Sequence, residues 1–268
     1  MPVLHALVLG AVQGLTEFVP ISSSGHLVLV PAALDWGSPG LAFDVMLHVA
    51  SLVALLAYFS GDLVDLARGF FAGDSGSRRL VGLLAIGTVP AVLAGALLGD
   101  YFEDSFEDAR ASAVQLVITA GILVAAEQAL AFHERRRAQT GGRLRTVDDL
   151  RTGDATLVGV AQAVSILPGI SRSGSTIAAG LAVATRREDA ARFAFLLAIP
   201  ALFGAALVEV PDLRGASLGA GAATAGFVAS LVTSYAAIAI LIKYLKTRSL
   251  YPFAAYCVVA GAVFYFLV

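Results

Sequence analysis

Gln13-Gly14-Leu15-Thr16-Glu17-Phe18-Val19-Pro20-Ile21-Ser22-Ser23-Ser24-Gly25-His26-Leu27 interrupts an otherwise apolar segment, residues 2–34. Gln13 and Glu17 are four apart and share one face of a helix. Pro20 ends that helix. The serines then stand where a second half-helix begins, as N-cap residues do. A helix broken in this way leaves backbone N–H groups and a positive dipole end pointing into the membrane interior, which favours an anion such as phosphate. Non-helical backbone at membrane depth is tolerated only where it is buried in protein or lines a cavity. The interruption therefore marks a site.

The chain holds a second break of the same design. Shifted by 149 residues, Gly10–Gln13 falls on Gly159–Gln162, and Ile21-Ser22-Ser23-Ser24-Gly25 falls on Ile170-Ser171-Arg172-Ser173-Gly174. Six of the eighteen positions from 10 to 27 are identical. One change matters: Arg172 stands in place of Ser23. An arginine inside a membrane costs at least about 2.5 kcal/mol on insertion scales and is a functional candidate by default. Its planar fork of donors suits phosphate oxygens.

Outward from the two breaks lie six apolar blocks: residues 41–59, 80–98, 111–132, 193–208, 216–242 and 252–268. A span needs about 20 apolar residues, with about 17 as the lower limit. Of the 18 Lys and Arg, fifteen fall in four short loops, 60–79, 133–153, 185–192 and 243–251. The connections 100–110 and 209–215 hold one Arg each and seven carboxylates between them. The positive-inside rule places the basic loops in the cytoplasm and the acidic ones outside. The segment 154–185 lies between two basic loops, so it enters and returns on one side as a re-entrant hairpin. Residues 2–34 do the same from the other side. Three spans follow each hairpin, and an odd number inverts the second half relative to the first.

The expected fold is an all-α integral membrane protein. It has about ten helical segments in an inverted-topology repeat, with two re-entrant helical hairpins and six spanning helices. The first repeat covers 1–133, a basic cytoplasmic linker 134–153, and the second repeat 154–268. Composition agrees: 58% hydrophobic and 14% charged residues, against roughly half and a quarter in soluble domains. Residues 1–19 lack the basic start and cleavage site of a signal peptide. The single Cys257 excludes an internal disulfide and a cysteine-based metal cluster. A net charge of -2 offers nothing to nucleic acid.

Two half-helix N-termini, one arginine and a set of hydroxyls converge in this reading to form a pyrophosphate cradle. Blander roles compete at single positions. Glu17 could be a structural carboxylate paired with Arg172, and His26 a packing residue bonded to a carbonyl. Asp44 and His48, one turn apart in the next span, read as structural ahead of a metal-ligand or supporting role. Glu127 reads as snorkelling or pairing with Arg135 or its neighbours.

Gln13-x3-Glu17 followed by Pro20-x-Ser-Ser-Ser-Gly25-His26 resembles the first signature of the undecaprenyl-diphosphatase (BacA/UppP) family, and Pro168-Gly169-Ile170-Ser171-Arg172-Ser173-Gly174-x-Thr176 resembles its second. Similarity extends through Phe43-Asp44, Pro90, Phe195-Leu196-Leu197 with Pro200, and Tyr251-Pro252-Phe253. The resemblance implies a ten-helix bundle in the plasma membrane whose active site opens to the outer face. It implies cleavage of the terminal phosphate from a polyprenyl diphosphate with a divalent cation, Mg2+ or Ca2+. The lipid carrier for cell-envelope polymers is thereby recycled, with associated bacitracin resistance. Glu17, Ser23, His26 and Arg172 match the family's catalytic positions. Gln13 stands where many members have Glu.

On this basis Ser22, Ser24, Gly25, Ser171, Ser173, Gly174 and Thr176 are expected to bind the substrate, and Glu17 with Gln13 the cation. Ser23 is the expected nucleophile and His26, on the same helical face, the expected base. Water activated by His26 or Glu17, with Ser23 only binding phosphate, is the alternative. The expected partners are the polyprenyl diphosphate and membrane lipids, with a homodimer left open. A lipid-phosphate flippase or anion transporter is the rival from another class, since inverted repeats with broken helices are common there. A pure carrier needs Arg172 and the helix N-termini but no nucleophile and base.

Overall fold

The computed structural model describes residues 1–37, 40–105, 108–209 and 219–268. Among these residues the chain is all-helical: α1 (Val3–Phe18), α2 (Ser23–Ala33), α3 (Leu41–Tyr58), α4 (Ser60–Ala72), α5 (Ser75–Ser105), α6 (Ala109–Thr140), α7 (Thr152–Val164), α8 (Arg172–Ala182), α9 (Arg187–Glu209), α10 (Ala220–Leu245) and α11 (Tyr251–Leu267). Among the described residues, five helices are long and apolar enough to cross a membrane: α3, α5 from Ser75 to Leu98, α6, α9 up to Val208, and α10. The sixth expected span, α11, has 17 residues and sits at the lower limit. This is a multi-pass membrane protein.

The two interrupted segments are broken helices, as their Pro, Gly and Ser content dictates. At 1.5 Å per residue, none of their four pieces is long enough for a hydrocarbon core about 30 Å thick. α1 has 16 residues, α7 has 13, and α2 and α8 have 11 each. α1 packs on α2, and α7 on α8.

Each broken pair also reaches into the other half of the sequence. α1 crosses α10 with Gly10 against Gly226, where a Cβ at position 10 would collide with the Gly226 carbonyl. α7 crosses α5 with Gly159 against Gly87 in the same manner. Small residues permit such close backbone approach in membranes. These crossings bring the distant half-helices to one place.

The loop at 60–79 differs from expectation because most of it is helix. α4 carries Leu63, Val64, Phe70 and Phe71 on one side and Asp62, Asp65 and Arg68 on the other. Such a pattern makes an amphipathic helix even in a short connection. Asp62 is tied to Arg192 of α9. The linker after α6 is a clasp and not a free strap. Arg143 and Thr146 both bond Asp149. The Thr146 N–H first, and then the Arg143 guanidinium, hold the Asp149 carboxyl down at about 2. Arg145 forks onto Asp154. Of the acidic connections, residues 106–107 and 210–218 lie outside the described residues.

Glu127 does not pair with Arg135. Arg187, at the start of α9, donates to it from Nε at 2.9 Å and Nη2 at 2.6 Å, and the Leu250 N–H donates at 2.8 Å. The carboxylate thus joins α6, α9 and α11 at their basic ends. Arg187 lies sixty residues away, beyond the reach of a local pairing rule. Removing one partner of a buried pair costs about 3–5 kcal/mol. Glu127 is buried while Arg187 is a quarter exposed, so Glu127→Gln is expected at the low end of that range. Thermal unfolding in detergent measures it, and an unchanged midpoint would make the pair energetically idle.

Candidate active site

Ser22 caps α2, its Oγ accepting the Gly25 N–H at 3.3 Å. Ser171 caps α8 in the same way, accepting the Gly174 N–H at 3.0 Å. Each cap hydroxyl also contacts the serine two residues on, Ser24 at 3.3 Å and Ser173 at 3.2 Å. The offset of 149 residues seen in the sequence therefore recurs as two matching hydroxyl-capped N-termini. The tips touch each other. Gly25 backs onto Gly169, where even a Cβ would press on the Gly169 backbone, and Ser173 Oγ donates to the Val19 carbonyl at 3.2 Å. Gly169 adopts φ +93°, a conformation open to glycine. Thr119 of α6 braces that tip, donating to the Gly169 carbonyl at 2.8 Å and accepting the Ser171 N–H at 3.0 Å.

Glu17 is the centre of the arrangement. Its side chain is 1% exposed, and a buried carboxylate needs donors and a countercharge. Gln13 Nε2 donates to Oε2 at 3.0 Å, one helical turn away as their spacing dictates. Ser23 Oγ donates to the same oxygen at 2.5 Å. Arg172, the first residue of α8, donates to Oε1. His48 Nε2 lies 3.8 Å from Oε2. Its Nδ1 donates to the Asp44 carbonyl at 2.8 Å, so Nε2 is the nitrogen turned toward Glu17. Glu17, Arg172, Ser173 and Thr176 line the polar side of a narrow cleft whose apolar wall includes Phe18 and Phe195.

The structure thus gathers Gln13, Glu17, Ser23 and Arg172 into one hydrogen-bonded group. His26 has other partners. It is buried, its Nδ1 donates to the Ser22 carbonyl at 2.7 Å, and its Nε2 meets the Tyr256 hydroxyl at 2.7 Å. Ser23 is engaged by Glu17, not by His26. Thr176 Oγ1 donates to the Arg172 carbonyl at 2.7 Å. Tyr256 and Thr119 were not singled out from the sequence. No spacing links position 26 to 256 or 119 to 171, and the only available signal was a hydroxyl within an apolar block. His48 is a partly exposed neighbour of Glu17, a position that its one-turn spacing from Asp44 did not reveal.

The model of the family described as "Bacitracin resistance protein BacA" matches residues 6–263, nearly the whole chain. The protein belongs to the BacA family. Similar proteins named "Undecaprenyl-diphosphatase" include one from Gloeobacter violaceus, 44% identical and covering 97% of this chain and 90% of that one. The one from Thermomicrobium roseum is 41% identical over 98% and 97% of the two chains. That from Methanosphaera stadtmanae is 39% identical over 98% and 97%.

Among the described residues of this BacA-family chain, no three His, Cys, Asp or Glu side chains gather to hold a metal ion. A divalent cation would need oxygens from elsewhere, including the substrate. Gln13 Oε1 is one available donor: it is buried beside Glu17 without a hydrogen-bond partner. Hard cations take oxygen ligands of this kind, and Mg2+ usually combines one or two protein carboxylates with substrate phosphates. The residues present fit that pattern.

Proposed function

We propose that this protein hydrolyses undecaprenyl diphosphate, or a related polyprenyl diphosphate, to the monophosphate and phosphate. One observation carries the reading. The Ser23 hydroxyl, at one half-helix N-terminus, donates to the carboxylate that Arg172 holds from the other. A serine, its proton acceptor and a phosphate-binding guanidinium therefore share one small space. The name carried by the similar proteins supports the substrate class.

In this mechanism the diphosphate competes with Glu17 for Arg172, because guanidinium binds phosphate through paired charge-assisted bonds. Ser22, Ser24, Gly25, Ser171, Ser173, Gly174 and Thr176 surround the two N-termini with N–H and hydroxyl groups for the remaining oxygens. Arg172 leaves Glu17 free to take the Ser23 proton. Ser23 Oγ then bonds the terminal phosphorus while the bond from that phosphorus to the bridging oxygen breaks. Polyprenyl monophosphate departs with the bridging oxygen and the proton. Water next attacks the phosphoserine, giving one proton through Glu17 to Ser23 Oγ and releasing phosphate. Catalysis is chiefly positioning and charge stabilisation, as phosphoryl transfer requires. Direct attack by water, with Ser23 only binding phosphate, is the competing route. Glu17 and Gln13 would hold Mg2+ or Ca2+, which when bound neutralises charge on the phosphate oxygens.

The proposal extends to place and purpose. The charge pattern of the loops supports a site opening to the outer face of the cell membrane. The monophosphate is the reusable lipid carrier for envelope synthesis, and bacitracin resistance, the family's description, accompanies that activity. The test is phosphate release from undecaprenyl diphosphate by the purified protein, with and without a chelator, and by sealed right-side-out vesicles. Cation-dependent release on the outer side is expected. A protein that transfers the lipid across the bilayer and never releases phosphate would be a carrier instead.

A further inference from the structure

The hydrogen bonds of His26 raise a question that the proposed mechanism leaves open. The Ser22 carbonyl can only accept, so Nδ1 carries a hydrogen in every protonation state of the ring. In the neutral imidazole the lone pair is therefore on Nε2, and Nε2 lies 2.7 Å from the Tyr256 hydroxyl. The two rings are stacked, 5.7 Å between centroids and 15° apart, and Phe264 closes the edge at 6.2 Å.

Tyr256 comes from α11, at the opposite end of the chain. Gly261 fixes α11 against α6, where a Cβ would press on the Ala113 carbonyl. Tyr256 is 43% exposed, whereas His26 is 3% exposed. Part of the ring therefore faces out of the bundle, while its hydroxyl turns inward to a buried nitrogen.

We infer that Tyr256 is a positioning residue for the reacting centre: its hydroxyl holds the free nitrogen of His26 in one place. A phenol both donates and accepts. It donates to Nε2 of the neutral ring and accepts from Nε2–H of the protonated one, so the ring keeps its orientation whether or not it holds a proton. His26 stands in the first turn of α2, immediately behind Ser22, Ser23 and Ser24. A ring pinned on both nitrogens also pins that turn and with it the aim of Ser23. This inference rests on His26 belonging to the reacting centre.

Tyr256→Phe removes the hydroxyl and keeps the ring, so the packing against His26 survives. The experiment measures kcat and KM for polyprenyl diphosphate and records the imidazole nitrogen resonances of 15N-histidine-labelled protein. His26→Gln assigns the His26 signal among the four histidines. Loss of one hydrogen bond in a preorganised site is expected to lower kcat about tenfold, with KM within about twofold and the His26 Nε2 resonance displaced. An unchanged kcat, an unmoved Nε2 resonance, or a rise in KM alone would overturn the positioning role. A fall in thermal stability with kcat preserved would likewise reduce Tyr256 to packing. His26→Gln with full turnover would sink the underlying role of His26 instead, and that result is read without any change at Tyr256.

Discussion

Ser23→Ala ends phosphate release, with kcat expected to fall on the order of 10^4-fold or more, as when a covalent nucleophile is deleted. Lipid binding should persist. The hydroxyl is one small group among many donors, and the N–H groups at the start of α2 and α8 remain to hold the anion. The substitution also leaves Glu17 with Gln13 and Arg172 as partners, so the carboxylate stays paired and the fold should be retained. Phosphate release and lipid binding, measured side by side, separate the routes. Substantial hydrolysis remaining in Ser23→Ala would end the covalent mechanism and leave water activated by Glu17. In that case Glu17→Gln would be the more severe lesion, because a neutral amide neither accepts the proton nor attracts a cation.

Arg172→Lys should lower kcat by about 10^2–10^3-fold, the effect of losing one preorganised donor to transition-state charge. A lysine keeps the charge and the ion pair with Glu17 but presents a point charge where the guanidinium presents a planar fork. It must also reach from the first residue of α8 to two places in turn, the carboxylate at rest and the phosphate during reaction. Full turnover in Arg172→Lys would remove Arg172 from the reacting centre. Arg172→Ala is a different experiment. It strands a buried carboxylate without its countercharge, so loss of folding is expected alongside loss of activity, and the lysine variant is the cleaner probe.

Much of the site was legible in sequence because the relevant signals are local. Gln13 bonds Glu17 because residues four apart meet on a helix. Ser22 and Ser171 cap their helices because a serine at that position satisfies an orphan N–H. Arg172 stood out because a charge inside a membrane is expensive and must be used. Glu127 shows where local reasoning fails. The nearest arginines in sequence lie a turn or two along the same helix, but its partner comes from the start of α9 and its third bond from the Leu250 backbone. His26 fails in the same way. Its three-residue spacing from Ser23 suggested a partnership along one helical face, whereas its imidazole nitrogens bond the Ser22 carbonyl and a tyrosine 230 residues away.

By itself the sequence determined that the chain is an all-helical membrane protein, that two of its segments are broken helices with serine-capped N-termini, and to which family it belongs. Each follows from composition or short-range spacing: apolar length against bilayer thickness, proline and serine against the helical hydrogen-bond ladder, two motifs in order. Only the tertiary structure decided that Ser23 and Arg172 both donate to Glu17, that His26 ends on Tyr256, and that α4 fills a loop. Those outcomes depend on where helices from different parts of the chain cross, at Gly10 on Gly226 and at Gly159 on Gly87. A helical pattern fixes the face that a side chain occupies. The neighbour brought to that face is set by packing between helices more than a hundred residues apart in one case and about seventy in the other, which no local spacing encodes.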